Sequence, residues 1–240
     1  MTSTNNNNNN DEVNVKPVYN DWVEHTEFTP ELCMFGKIKP SKSGQNDVMK
    51  FSAIMYNNEN LKLLIPEMIN MYDVNKPYYD KYNLTLRFAD ENSDAAKEFI
   101  NIMNRFDDSM IKMSTKHPQN DIYRSDQHTT NHYETSKQQY KSTFKINQYN
   151  VHTLAIGLPT APNGSLKDVD LFAGEDAELI KDVNISNITS YIKINSLVKC
   201  VIKPVLWVSS KGWGVKWNLS IIKISSIEKK DNANVNVCLC

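Results

Sequence analysis

The chain has 240 residues, 40% of them apolar, and carries 27 Lys and Arg against 28 Asp and Glu for a formal net charge of −1. That length and apolar content suit one large domain or two small ones around a packed core. The near-zero balance excludes a polycation, so any nucleic-acid site has to come from local segregation of charge.

Residues 1–27 hold a six-asparagine run and scattered acids. Such a composition buries little and predicts a disordered tail. Residues 48–56 ("VMKFSAIMY"), then "NNEN", then "LKLLIP" read as strand, turn, strand. In residues 82–88 ("YNLTLRF"), Tyr82, Leu84, Leu86 and Phe88 alternate with Asn83, Thr85 and Arg87, the pattern of a half-buried strand. Residues 94–112 predict a helix with Ser93 as N-cap and Asp94 in the first turn. Its stripe of Ala96, Phe99, Ile100, Met103, Phe106 and Met110 is expected in the core. Residues 114–143 are polar and predict a long loop or an inserted arm. Strand signals return at 144–158, Asn163-Gly164 marks a turn, and acids gather at 168–182. Two strands follow, near 198–208 and 213–224. Many strands with one clear helix predict a mostly β domain, a barrel or a sandwich.

Asparagine makes up about an eighth of the chain. Sequons at Asn83, Asn163, Asn184, Asn187 and Asn218 would matter only in a secreted chain. With no apolar signal segment and no membrane-length apolar run, neither secretion nor a membrane span is expected. Cys33, Cys200, Cys238 and Cys240 include no C-x-x-C and are expected as free thiols.

Residues 203–217, "KPVLWVSSKGWGVKW", hold three of the four tryptophans together with three lysines. A hairpin closed by Ser209 to Gly212 places Val208 opposite Trp213. Cross-strand partners share a face. One face then carries Ile202, Leu206, Val208, Trp213, Val215, Trp217, Leu219 and Ile221 and belongs to the core. The other carries Lys199, Lys203, Val205 and Trp207 opposite Gly214, Lys216, Asn218 and Ser220. On that face Gly214 would leave the Trp207 indole uncovered. A ring among ammonium groups suits unpaired bases that stack while phosphates meet lysines. Residues 199–230 support this with seven lysines and one glutamate, Lys211 in the turn among them. Lysines on a solvated hairpin face are also ordinary, and a one-residue slip would gather all three tryptophans in the core.

"VKCVIKPVLWVSSKGWGVKWNLSIIKI" resembles the last hairpin of single-stranded DNA-binding proteins from large nucleocytoplasmic DNA viruses, relatives of the phage-type OB-fold single-strand binders. "MKFSAIMYNNENLKLLIPEMINMYDV" resembles that family's early hairpin, and "YNLTLRFADENSDAAKEFINIMNRFDDSMIKMS" its strand and helix. The likeness covers residues 28–227, with 114–143 as a polar insertion and 228–240 as a C-terminal tail. It implies an OB-fold-like barrel with one packed helix that binds single-stranded DNA in viral replication, recombination or repair, without catalysis and without a cofactor or metal. It implies a host-cytoplasmic viral factory or the virion as location. Replication proteins and a second copy of the chain are further partner classes. The end "DNANVNVCLC" departs from the acidic, aromatic-ended tail of the phage relatives, which leaves tail-mediated recruitment without support. The rival class is a structural or scaffolding protein of a viral particle or factory.

Two further sites arise from the residues. "YDVNKPYYDKY" interleaves Tyr78 and Tyr79 with Lys76 and Lys81, a second candidate for single-strand contact beside Arg87 on its strand. The same tyrosines could instead pack a loop onto the barrel. His128 and His132, with Asp126 and Glu134 nearby, have zinc-ligand spacing but a sequence unsuited to helix and no clear third ligand, so no metal site is expected.

Overall fold

The structure is a computed structural model and describes residues 21–40, 49–74, 82–116, 132–174 and 177–227. In chain order its main elements are β1 (Cys33–Phe35), β2 (Lys50–Tyr56), β3 (Met68–Asn70), β4 (Asn83–Arg87) and α1 (Asp94–Lys116). There follow α2 (His132–Gln139), β5 (Tyr140–Lys141), β6 (Phe144–Ile146), β7 (His152–Gly157), β8 (Asp170–Ala173), β9 (Glu178–Ile180), β10 (Ser196–Ser209) and β11 (Gly212–Ile227).

Five strands close a ring. β3 pairs antiparallel with β4, and β4 with β7. β7 lies parallel to β11 at Ile156–Trp217 and Gly157–Asn218. β11 pairs antiparallel with β10, and β10 returns to β3 at Leu197–Ile69 and Val198–Met68. The order is first, second, third, fifth, fourth, with one parallel pair, which is a five-stranded Greek-key barrel of the OB type. Closure protects the strand edges and encloses one core.

Local sequence explains the elements. Asn57 and Asn58 sit at φ 50° and 66°, and Tyr56 pairs with Glu59 across them. Asparagine tolerates this left-handed conformation, which the two-residue hairpin turn demands. Leu84, Leu86 and Phe88 are buried, as the alternation predicts. The amide of Ala96 donates to Ser93 Oγ at 3.3 Å, capping α1. Its buried face holds Ala96, Phe99, Ile102, Met103, Phe106, Met110 and Ile111, with Ile100 at the margin. Phe106 packs on Trp217 with ring centroids 5.1 Å apart, joining the helix to the barrel core.

Besides the tail expected over 1–27, whose residues 21–27 are ordered, with Val23–Glu24 paired to Leu63–Leu64 and His25–Glu27 in a 3-10 turn, two expectations need correction. The segment 114–143 does not run as a loop where it is described. Residues 114–116 complete α1, and 132–141 form α2 and β5. Ser114 and Ser136, buried and 2.7 Å apart through their hydroxyls, tie the two helices together. Buried polar contacts supply what the sparse apolar residues do not. Residues 117–131, with His128, lie outside the described residues, as do 1–20 and 228–240.

The second correction concerns the long hairpin. The expected register holds from Val208–Trp213 to Ile202–Leu219. Between Ile202 and Val201 it shifts, so Ile202 pairs with Leu219 while Val201 pairs with Ile221. Ser220 is the extra residue of this bulge. A bulge reverses the inside–outside alternation beyond it and increases twist. Ile222, not Ile221, is therefore buried, and Lys199 faces Lys223 rather than Ile222, which the unshifted register would place there.

Candidate functional site

Trp213 and Trp217 are each 1% exposed. Their indole nitrogens donate to the Ser136 carbonyl at 3.2 Å and to Thr143 Oγ1 at 3.3 Å. Both are core residues with satisfied polar edges. Trp207 is half-buried on the other face of the same hairpin. The sheet continues past it, because β2 pairs with β10 and sets Phe51 directly beside Trp207. Phe51 is 36% exposed. Two aromatic rings thus stand on adjacent strands of one outer face.

That face is concave. A cleft of about 610 Å³ spans Phe51, Trp207, Val215, Lys216, Ala155, Gly157 and Asn83, residues of five strands adjacent across the sheet. Lys141, Ser142, Thr143 and Lys145 border it. The border arises from the topology. β7 and β11 touch at only two residue pairs, and beyond them each strand takes a partner from the 140–146 stretch. Trp213–Gly214 pairs with Tyr140–Lys141, and residues 152–154 pair with Phe144–Ile146. Among the described residues, the lining includes Lys141, Lys145 and Lys216 and no carboxylate. A second cleft, of about 570 Å³ between β1 and α1, mixes Glu31 and Asp108 with Lys112 and Lys116. Of these two clefts, the first combines aromatic faces with a lysine-rich lining.

Glycines shape the cleft. A Cβ on Gly157 would lie 2.5 Å from Cε and 2.8 Å from Nζ of Lys216, so the lysine side chain crosses the strand over this glycine. A Cβ on Gly214 would lie 2.9 Å from the Lys141 carbonyl oxygen. This corrects the expectation that Gly214 leaves the indole uncovered. The space is filled by the Lys141 backbone, which could not approach a larger residue so closely.

Of the residues predicted from sequence, the cleft brings together Trp207 and Lys216. Lys203 shares their strand face but, with Lys199, Lys211 and Arg87, is not part of the lining. Lys203 lies near Lys62, and Lys211 sits in the hairpin turn with its amide on Ser209 Oγ. The guanidinium of Arg87 donates to the Phe88 carbonyl at 2.9 Å. Lys76, Tyr78, Tyr79 and Lys81 fall outside the described residues. Strand β8 (Asp170–Ala173), in the acidic stretch, pairs with residues 221–224 of β11, beyond the bulge from the cleft.

Sequence reasoning missed Phe51, Lys141 and Lys145. Phe51 had a signal. With Ile54 and Tyr56 inward on a strand, strict alternation turns residue 51 outward. Lys141 and Lys145 lay in a stretch read as arm, where "KSTFKI" carries alternation too short to stand out.

No protein-family model matches the sequence, and no curated protein matches it. Among solved structures, the chain is similar to the single-stranded DNA-binding protein from bacteriophage Enc34, at 15% identity and TM-score 0.42, covering 84% of this chain and 97% of that one. The same phage protein in complex with ssDNA matches at 14% identity and TM-score 0.43, covering 80% and 97%. Gp2.5, a single-stranded DNA-binding protein encoded by bacteriophage T7, matches at 12% identity and TM-score 0.44, covering 75% and 98%.

Proposed function

We propose that this protein binds single-stranded DNA non-catalytically and with little sequence preference, through the cleft centred on Trp207. The observation that carries the reading is the pairing of Trp207 with Phe51 on one concave face, among Lys141, Lys145 and Lys216 and with no carboxylate among the described lining residues. Ring faces accept any unpaired base, and each stacked base contributes about 1–3 kcal/mol. Ammonium groups meet phosphates, which every nucleotide has. Paired bases are stacked on one another and offer no free face, so the chemistry favours single strands over duplex.

The resemblance of the sequence to single-strand binders of large DNA viruses supports a role in viral DNA replication, recombination or repair, in a host-cell factory. Fluorescence anisotropy with labelled single- and double-stranded oligonucleotides of equal length tests the reading. Tight binding to the single strand and weak binding to the duplex is expected. Equal or absent binding rejects it and favours a scaffolding role.

A further inference from the structure

Asp107 lies on α1 and is buried, 7% exposed. Its carboxylate accepts four hydrogen bonds. They come from Tyr140 Oη at 2.6 Å, Ser142 Oγ at 2.8 Å, the Thr143 amide at 2.9 Å and Thr143 Oγ1 at 2.6 Å. A carboxylate has about four lone-pair positions, so its acceptor capacity is filled. All four donors belong to one tetrapeptide, residues 140–143. The remaining member, Lys141, makes none of these bonds. Its side chain is exposed and borders the cleft, and its backbone rests against Gly214.

We infer that Asp107 is a positioning residue for the DNA-binding cleft. It fixes the 140–143 wall from behind, so that Lys141 meets a phosphate at the edge of the Trp207 face. The inference rests on the proposed DNA-binding reading of that cleft. Burying a carboxylate is costly, and an apolar side chain often serves packing as well or better. The network makes sense where geometry is required. It reaches the barrel as well, since Thr143 Oγ1 receives the Trp217 indole N–H while donating to Asp107. Helix, wall and strand β11 are thus joined through the Asp107 and Thr143 side chains.

The test uses the full chain and a labelled oligothymidylate, with affinity followed across potassium chloride concentration. The variants are Asp107→Asn, Lys141→Ala and the double variant. Lys141→Ala should lower the salt slope by about 0.7, the loss of one phosphate contact on a single strand. Asp107→Asn should lower it by the same amount, and the double variant should lose no more than either single one, because both act through one contact. Tyr140→Phe, which removes one of four bonds, should give a partial loss and guards against an unfolded Asp107 variant. Hydrogen exchange should show lost protection at the Thr143 amide with β10 and β11 still protected. Additive losses, or an unchanged slope in folded Asp107 and Tyr140 variants, overturn the inference while the DNA-binding reading stands. A wild-type chain that does not bind the oligothymidylate overturns that reading and this inference together.

Discussion

Trp207 pairs with Gly214 while Trp213 pairs with Val208, so two tryptophans one register step apart serve opposite faces of the hairpin. One is enclosed by the barrel and the helix. The other stands beside Phe51 over the cleft.

This division makes the two faces separable by mutation. Trp207→Ala should weaken single-strand binding by about 1–3 kcal/mol, with a smaller loss of stability. Trp217→Ala should cost about 3–5 kcal/mol of folding stability as a core truncation, and it also removes the donor to Thr143. Phe51→Ala should behave like Trp207→Ala. Urea denaturation and anisotropy on the same samples decide the matter. A Trp207→Ala protein that unfolds readily yet binds normally when folded would place that ring in the core.

Binding should also depend on salt. Lys141, Lys145 and Lys216 line the cleft, so up to three phosphates can be neutralised there. Each contributes about −0.7 to the log–log slope on single strands. A slope near −2 is therefore expected from the cleft, and a steeper one if Lys203 or Lys211 joins along the strand path. Affinity that stays flat from low to moderate salt would remove the electrostatic part of the reading.

Legibility followed the range of the interactions. The register of the β10–β11 hairpin was readable because a turn and two alternating strands are local, and the placement of Trp207 opposite Gly214 came with it. The α1 stripe was readable for the same reason. The bulge at Ser220 was not, because barrel closure, not local propensity, demands it. Phe51 was missed because its meeting with Trp207 depends on a pairing between strands far apart in sequence. The wall at 140–145 was missed because it is held by polar bonds to Asp107, and hydrophobic periodicity does not register such bonds. Local patterns located half of the cleft, and tertiary pairing supplies the other half.

Gly157 and Gly214 should respond differently to alanine. At Gly157 the new methyl meets the far end of the Lys216 side chain and, at 2.9 Å, Asn218 Oδ1, both side-chain atoms that can shift aside. Stability should change by less than about 1 kcal/mol, since a strand glycine also carries an entropic cost. The displaced ammonium should weaken binding and flatten the salt slope. At Gly214 the methyl meets the Lys141 backbone, which is paired and cannot swing. Overpacking of this kind costs about 1–3 kcal/mol. Melting curves of the two variants provide the comparison, and a Gly157→Ala protein less stable than Gly214→Ala would contradict the packing described.

The wall should loosen at alkaline pH. Burial first, and the Asp107 carboxylate second, push the Tyr140 phenol well above its ordinary range. An unperturbed tyrosine titrates near pH 10. Between that pH and the raised folded value, the unfolded chain has lost the proton and the folded chain keeps it. Stability therefore falls as pH rises through this window, and the contribution is fully present below about pH 10. Other groups add the same sign. The Asp108 hydrogen bond raises Tyr133 to about 12, and burial raises the Cys33 thiol to about 12. The informative quantity is thus the difference between wild type and Tyr140→Phe. At neutral pH the variant should be less stable by about 1.5–3 kcal/mol, the value of a hydrogen bond to a charged group. Above pH 10 its disadvantage should shrink, because only the wild type must keep a buried phenol protonated. Urea midpoints for both proteins from neutral to strongly alkaline pH measure this, and a gap of constant size across the range would exclude the protonated Tyr140–Asp107 bond as a source of stability.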